Sequence, residues 1–348
     1  MKNLNIDVLC SDGSPLGVTY KTIYGDNEQV GVGGAELALL TMCEVWSRNG
    51  HHVRLYNNPR EVGVSPFEQL AISEYNPADN RDIVITFRSP NARSVVSNGM
   101  KVFWSCDQYT NGDYSSFAKS QDKIICISPR HSQFFADKYK IENTSVIDLP
   151  VRTWDYDDLC IEKVPNRLVF TSIPDRGLEG LYTIWDELLK NNTDVSLVIT
   201  SDYRLWGAHN GAMNERHRVR WITKDKIRFL GAIPRSKLIM EELEADLLVY
   251  PCTYDELFCI SVAEAQYAGA YPITSSVGAL VTTNMGHIVH GNGRDLIFLQ
   301  KFCSELNLLL QDRTELKKLQ KEVKQKALDR FHPDVIANKW NSIFEGAL

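Results

Sequence analysis

The chain has 348 residues, 43% of them hydrophobic and 24% charged, with a net charge of −6 at neutral pH. That length exceeds one compact core and suits two domains of about 150–200 residues each, and the acidic balance gives no overall attraction to nucleic acid or anionic lipid. No window reaches the roughly 18–20 apolar residues of a membrane span, and the apolar core of "MKNLNIDVLC" is far shorter than that of a secretion signal, so a soluble, cytoplasmic protein is expected. Eight cysteines are scattered with no C-x-x-C pair. Cys10, Cys126 and Cys252 lie in or at the end of apolar strand-like runs, so reduced core thiols are expected rather than a disulfide framework or a zinc site.

Short apolar runs rich in β-branched residues come first: "LNIDVLC", "HHVRLYN", "DIVITF", "KVFWS", "KIICIS" and "TSVIDLPV". Their near-continuous apolar character suits strands covered on both faces. Between the first two, Ala35, Leu39, Met42, Cys43 and Trp46 recur at helical spacing over Gly34–Asn49, and Gly50 closes that helix. "SPRHSQFFADKY" offers Ser128 as N-cap with Pro129 at the first helical position. The stretch "LPVRTWDYDDLCIEKVPN" lacks periodicity and reads as a linker near residues 150–165.

The alternation then restarts with "RLVFTSI", the helix "GLEGLYTIWDELLKNN", "VSLVITS", "KIRFLGAI", the helix "RSKLIMEELEA" and "DLLVYPC". Two successive βα arrays predict two doubly wound parallel sheets side by side, and in such proteins the cleft between domains is the expected ligand site. After the strand "DLLVYPC" comes the turn "TYDELF" and a helix beginning near Phe258–Ile260, whose free N–H groups suit a diphosphate. Glu256, before that helix, can reach a polyhydroxylated group beyond the phosphates. Glu264, within it, can take a pair of vicinal hydroxyls, since a carboxylate accepts several hydrogen bonds.

The segment "DELFCISVAEAQYAGAYPIT" resembles the E-x7-E segment of the retaining GT-B glycosyltransferases of the family-four, or group 1, type. Glu256, Phe258, Glu264, Ala265, Ala268, Gly269, Pro272 and Ile273 match that pattern in type and spacing. The resemblance extends along the chain. "VGVGGAELALLTMCEVWSRNGHHVRLY" is similar to the family's glycine loop and first helix, "TSIPDRGLEGLYTIWDEL" to its Lys-Gly element, "IRFLGAIPRSKL" to its base-side strand and "FHPDVIANKWNSIFE" to its closing helix.

The resemblance implies a GT-B fold of two Rossmann-like domains facing a cleft: an acceptor-side domain over 1–152, a nucleotide-sugar domain over 153–330 and a helix over 331–348 packing back on the first. It implies that Glu256 holds the transferred sugar, that Glu264 binds the ribose, and that the backbone amides of Phe258, Cys259 and Ile260 hold the diphosphate. Gly33 and Gly34 then belong to the loop beside the phosphates, and Ile233 sits beside the nucleobase. Three departures stand out. Arg176 occupies the lysine position, with Thr171 where the family has an arginine, leaving one cation on the diphosphate; Cys259 replaces a glycine; and "KVFWSCDQ" has Cys106-Asp107 where many members have a histidine, so Asp107 acts alone. Arg88, ending a strand in "ITFRSPN", is a candidate contact for acceptor or phosphate.

The implied reaction is transfer from a UDP- or GDP-sugar to an acceptor hydroxyl with retention, by front-face substitution, with Glu256, Arg176 and Asp107 as the catalytic set. No metal is required, since Arg176 and the helix N-terminus offset the leaving charge, and no cofactor is called for. A glycan or lipid-linked acceptor is expected. Two rivals remain. The segment Arg204–Arg228, with seven Arg/Lys and two tryptophans, suits a nucleic-acid backbone and hence a transferase acting on modified DNA bases. The other is a non-catalytic nucleotide-sugar binder or a sugar-nucleotide epimerase; the epimerase lacks the further acid–base residues it would need. Oligomeric state is not legible in the sequence.

Overall fold

A computed structural model describes residues 3–11, 17–24, 32–61, 63–108, 112–206 and 211–347. The chain divides into two compact units, the first holding Val32–Arg152 with the N-terminal strand and Phe331–Leu348, the second holding Thr153–Arg330.

The first unit runs β1 (Asn5–Cys10), α1 (Gly34–Arg48), β2 (His52–Tyr56), β3 (Glu68–Leu70), β4 (Ile83–Phe87), α2 (Ala92–Val95), β5 (Met100–Trp104), α3 (Tyr114–Ala118), β6 (Lys123–Cys126), α4 (Pro129–Tyr139) and β7 (Ser145–Val146). Its seven strands pair in parallel in the order β3-β2-β1-β4-β5-β6-β7. All five residues of β4 and the last five of β1 are buried, as a sheet covered on both faces requires. Ser128 caps α4 by accepting from the His131 N–H, and Pro129 opens the helix. Gly50, at φ +90°, turns the chain out of α1 into β2.

The second unit runs β8 (Arg167–Phe170), α5 (Leu178–Asn191), β9 (Ser196–Ile199), α6 (Gly211–Trp221), β10 (Ile227–Phe229), α7 (Arg235–Glu244), β11 (Leu247–Tyr250), α8 (Ile260–Tyr267), β12 (Tyr271–Ser275), α9 (Leu280–Thr283), β13 (His287–Val289), α10 (Leu296–Gln311) and α11 (Arg313–Phe331). Its six parallel strands take the order β10-β9-β8-β11-β12-β13. The last helix, α12 (Pro333–Phe344), packs on α1 of the first unit, with Trp340 edge-on to Trp46 and Trp104 at 5.3 and 5.1 Å.

The structure therefore has the two doubly wound parallel sheets that the alternating pattern predicts. It differs in detail. "TSVIDLPV" contracts to the two residues of β7, which pair with Ile125 and Cys126 at the end of β6. The edge strand β3, "EQL", is half-exposed and polar, so it has no apolar run to betray it. The stretch read as a linker does lack regular structure beyond a single turn at Thr153–Asp155, yet it is not a passive spacer: Tyr156 is buried and its hydroxyl donates to Glu242 Oε2 at 2.7 Å. All eight cysteines are free, and Cys160 is exposed. Among the described residues no helix is long and apolar enough to cross a membrane.

Candidate active site

A doubly wound sheet leaves a crevice where its strand order reverses, outside the carboxyl ends of the two strands concerned. In the second unit those strands are β8 and β11. The chain leaving β8 carries Arg176 and the chain leaving β11 carries Glu256, so residues 80 positions apart meet there. Arg176 Nη1 donates to both carboxylate oxygens, 2.9 Å to Oε1 and 3.2 Å to Oε2. The guanidinium also lies 4.3 Å from the centre of the Tyr254 ring. Burial works against the arginine's charge, but the Glu256 carboxylate outweighs it and holds the pKa above its usual value. The Tyr250 hydroxyl donates to Glu256 Oε1 at 2.5 Å and lies 3.1 Å from Ser172 Oγ.

Two glycines let these loops approach. A Cβ on Gly177, at φ +128°, would stand 2.6 Å from the Pro251 carbonyl oxygen, and one on Gly278, at φ +61°, 2.4 Å from the Glu256 amide nitrogen. The Ala279 N–H donates to the Glu256 carbonyl at 2.7 Å, so the Glu256 backbone is held as well as its side chain. At Thr171, where the family has an arginine, the hydroxyl is buried with no partner among the described residues and the carbonyl accepts from Ser261 Oγ at 2.8 Å.

The helix that begins just beyond Glu256 is α8. The Cys259 carbonyl accepts from the Val262 and Ala263 N–H groups, so the amides of Cys259, Ile260 and Ser261 precede the first helical donor and form its positive end. Cys259 itself has φ +75° and ψ 81°, a left-handed conformation that glycine adopts without strain and cysteine does not. The substitution of the family's glycine thus acts on the backbone of the turn, and not merely on the width of the site.

Glu264, one turn into α8, is 4% exposed and sits against Arg235, which is 5% exposed. Arg235 Nη1 is 2.8 Å from Glu264 Oε1, a buried ion pair. Arg235 also pairs with Asp155. Burial pushes the Glu264 carboxyl up and Arg235 pulls it part of the way back, while burial and the Glu264 charge raise Glu242 beside it. Nothing in the isolated sequence pointed to Arg235; its one visible signal is its position two residues after Ile233. Ile233 is half-buried in the turn between β10 and α7.

Of the basic segment, residues 207–210 lie outside the described ones. Five of its seven cations are matched by carboxylates: Arg204 by Asp202, Arg218 by Glu215, Arg220 by Glu179, Lys224 by Asp186 and Arg228 by Glu241. Most of the charge that suggested a nucleic-acid surface is thus already neutralised.

In the first unit the strand order reverses between β1 and β4. Arg88 follows β4 at φ +71°, with Nη1 donating to Glu36 Oε1 at 2.9 Å and Nε paired with Asp107. Its charge is thus shared between two carboxylates, one from the first turn of α1 and one from the loop after β5. Burial pushes the Cys106 thiol far up, aided by Asp107, so it is a neutral group. Gly33 is the N-cap of α1 at φ −65°, ψ 156°, a conformation open to any residue, and Gly34 begins the helix. Val30 and Gly31 of the glycine loop lie outside the described residues. His131, in the first turn of α4, is buried, and burial lowers its pKa to about 3.

Residues 171–326 match the model of a family described as glycosyl transferases group 1. No curated protein matches the sequence. Among solved structures, a sucrose-phosphate synthase from Thermosynechococcus elongatus superposes with a TM-score of 0.74 at 16% identity, covering 98% of both chains. A glycosyltransferase from Rickettsia africae gives 0.71 at 15% identity, covering 99% of this chain and 98% of the other. The Anabaena protein HepE, solved in complex with UDP-glucose, gives 0.69 at 14% identity, covering 99% and 100%. At such identities the superpositions speak for the fold, and the family match speaks for the chemistry of the second unit. Residues 171–326 thus match the glycosyl transferases group 1 model, and the chain has the GT-B fold of the glycosyltransferase structures it superposes on.

Proposed function

We propose that the protein transfers a sugar from a UDP- or GDP-linked donor to a hydroxyl of a glycan or lipid-linked acceptor, with retention and without a metal. The observation that carries this reading is the contact of Arg176 with Glu256 at the strand-order reversal of the second unit, just ahead of the amino end of α8. A cation and a helix N-terminus together suit a diphosphate, and the carboxylate beside them suits sugar hydroxyls. HepE, which shares the fold, was solved with UDP-glucose, in keeping with a nucleotide-sugar donor.

In this scheme the bond from the sugar's anomeric carbon to the diphosphate breaks with its electron pair going to the phosphate oxygen. The acceptor oxygen bonds to the same face, and its proton passes to the departing phosphate. The protein's part is to offset the growing negative charge, which Arg176 and the α8 amides do by fixed geometry. Glu256 orients the sugar and Glu264 takes the ribose hydroxyls. Asp107 and Arg88 serve the acceptor, and Arg88, balanced by Glu36 and Asp107, suits a neutral hydroxyl compound better than a phosphate. The modified-DNA alternative loses weight because five of the seven cations that motivated it are paired with carboxylates.

The test is a thermal-shift panel of UDP, GDP, ADP and their sugars, followed by proton NMR of the product anomer with and without EDTA. Stabilisation by one nucleotide sugar, an unchanged anomer and full activity in EDTA are expected. An inverted product or a strict requirement for a divalent ion overturns the retaining, metal-free scheme.

A further inference from the structure

Resting on that reading, we propose that Tyr250 is a positioning residue that sets donor-sugar selectivity, by occupying one oxygen of Glu256 so that the carboxylate reads a single sugar hydroxyl. Tyr250 ends β11, a central strand whose other residues are all apolar, and it stands 2% exposed in register with Thr274 of β12. Its ring packs against Phe170 at 5.8 Å between centroids, which fixes where the hydroxyl points.

The hydrogen-bond direction follows from proton count. A phenol has one proton, and Tyr250 gives it to Glu256 Oε1. The contact between Ser172 and Tyr250 is therefore donated by the serine. The result is a relay of three groups, Ser172 to Tyr250 to Glu256, in which each bond polarises the next. Ser172 lies on the chain leaving β8, so the relay ties together both strands at the reversal.

A carboxylate offers about four lone-pair positions. Oε1 of Glu256 has both of its own filled, by Tyr250 at 2.5 Å and Arg176 at 2.9 Å. Oε2 takes only the longer arginine contact at 3.2 Å among the described residues. The Glu256 backbone is held by Ala279 and by the close approach of Gly278, and its carboxylate by Tyr250 and Arg176. A sugar therefore finds one open position on one oxygen. An epimer whose hydroxyl points elsewhere leaves that position on the buried Glu256 unfilled, and sites built to hydrogen-bond a hydroxyl discriminate strongly against ligands that fail to supply it. Without the tyrosine proton, Oε1 regains an acceptor position and a second hydroxyl geometry becomes tolerable.

The experiment compares wild type with Tyr250→Phe, which keeps the ring and its packing. Donor turnover is measured as slow hydrolysis for the epimeric pairs UDP-glucose with UDP-galactose and GDP-glucose with GDP-mannose, and affinity for UDP and GDP alone by calorimetry. The variant is expected to bind the bare nucleotide within about twofold of wild type, to lose about tenfold in kcat/KM for the preferred donor, and to narrow the ratio between epimers by about tenfold. Ser172→Ala, which leaves the tyrosine in place, should move the ratio the same way by less, and it serves if the first variant folds poorly. A variant whose melting temperature drops while the epimer ratio stays unchanged shows that the hydroxyl is only structural and overturns the proposal. Equal loss of nucleotide affinity and turnover overturns it too. A wild type that binds nucleotide but turns over no nucleotide sugar instead overturns the transferase reading, and this one with it.

Discussion

Arg176 shows how one side chain is committed by its surroundings. Its partner is Glu256, its neighbour on the other side is the Tyr254 ring, and at Thr171, where a second cation would stand in the family, there is a buried hydroxyl. Arg176→Ala should therefore lower turnover by about a hundred- to thousandfold, the usual result of removing one preorganised donor to a developing oxyanion. Donor affinity should change far less, because the interaction strengthens as the diphosphate departs. Arg176→Lys should recover part of the loss, since charge returns without the planar fork. Kinetics on purified variants decide it; near-normal turnover in Arg176→Ala would place the diphosphate elsewhere. At this scale the sequence already held the residue types, because E-x7-E spacing and a strand–turn–helix context are local. It did not hold their partners. Tyr250 reads as one more apolar strand residue, and Arg235 as an ordinary helix-start arginine.

The element most informative about energetics is α8, whose two ends are handled differently. Its amino end begins on a strained Cys259, and its carboxyl end is met by Lys163, whose Nζ donates to the Ala268 carbonyl at 2.9 Å. A cation there suits the helix dipole, but burial is costly for the ammonium and lowers its pKa to about 7, against the pull of Asp246. The unfolded lysine titrates near 10.4. Between pH 7 and that value the unfolded chain binds more protons than the folded one, so this group makes stability rise with pH across the window and fall back as pH drops toward 7. In Lys163→Met that dependence should vanish. The melting temperature of wild type relative to the variant is expected to climb from pH 7 to pH 10, and a constant difference would show that the folded lysine keeps its ordinary basicity. The strands were legible from composition, since burial on both faces demands apolar runs. The boundaries of β7 and the existence of β3 were not, because pairing with a neighbour defines them and no local pattern does.

Across the whole molecule, the chain returns at its end to the unit where it began. Trp340 of α12 is fully buried against Trp46 of α1 and Trp104 of β5. Trp340→Ala should cost about 3–5 kcal/mol, as large-to-small changes at packed aromatics do. The loss should fall on the first unit. Limited proteolysis of the variant is expected to degrade that unit first and to leave a fragment close to residues 153–330, which is one continuous stretch of the second unit. Uniform degradation would mean that the two units share a single cooperative transition.

Alternating apolar runs and amphipathic helices are properties of neighbours in sequence, and from them the doubly wound class follows without tertiary information, because two-sided burial of a parallel sheet leaves few other patterns. The E-x7-E segment is equally local, so its match to known glycosyltransferases could be made from the residues alone. Partnership is different. Glu256 meets Arg176 only because strand order reverses between β8 and β11, Arg88 meets Glu36 and Asp107 only because β4 lies beside β1 and β5, and five of the seven cations of the basic segment are matched by acids as far as 41 positions away. Those contacts depend on crossovers that bring distant segments together, and a charge takes its meaning from whatever stands within a few ångströms of it.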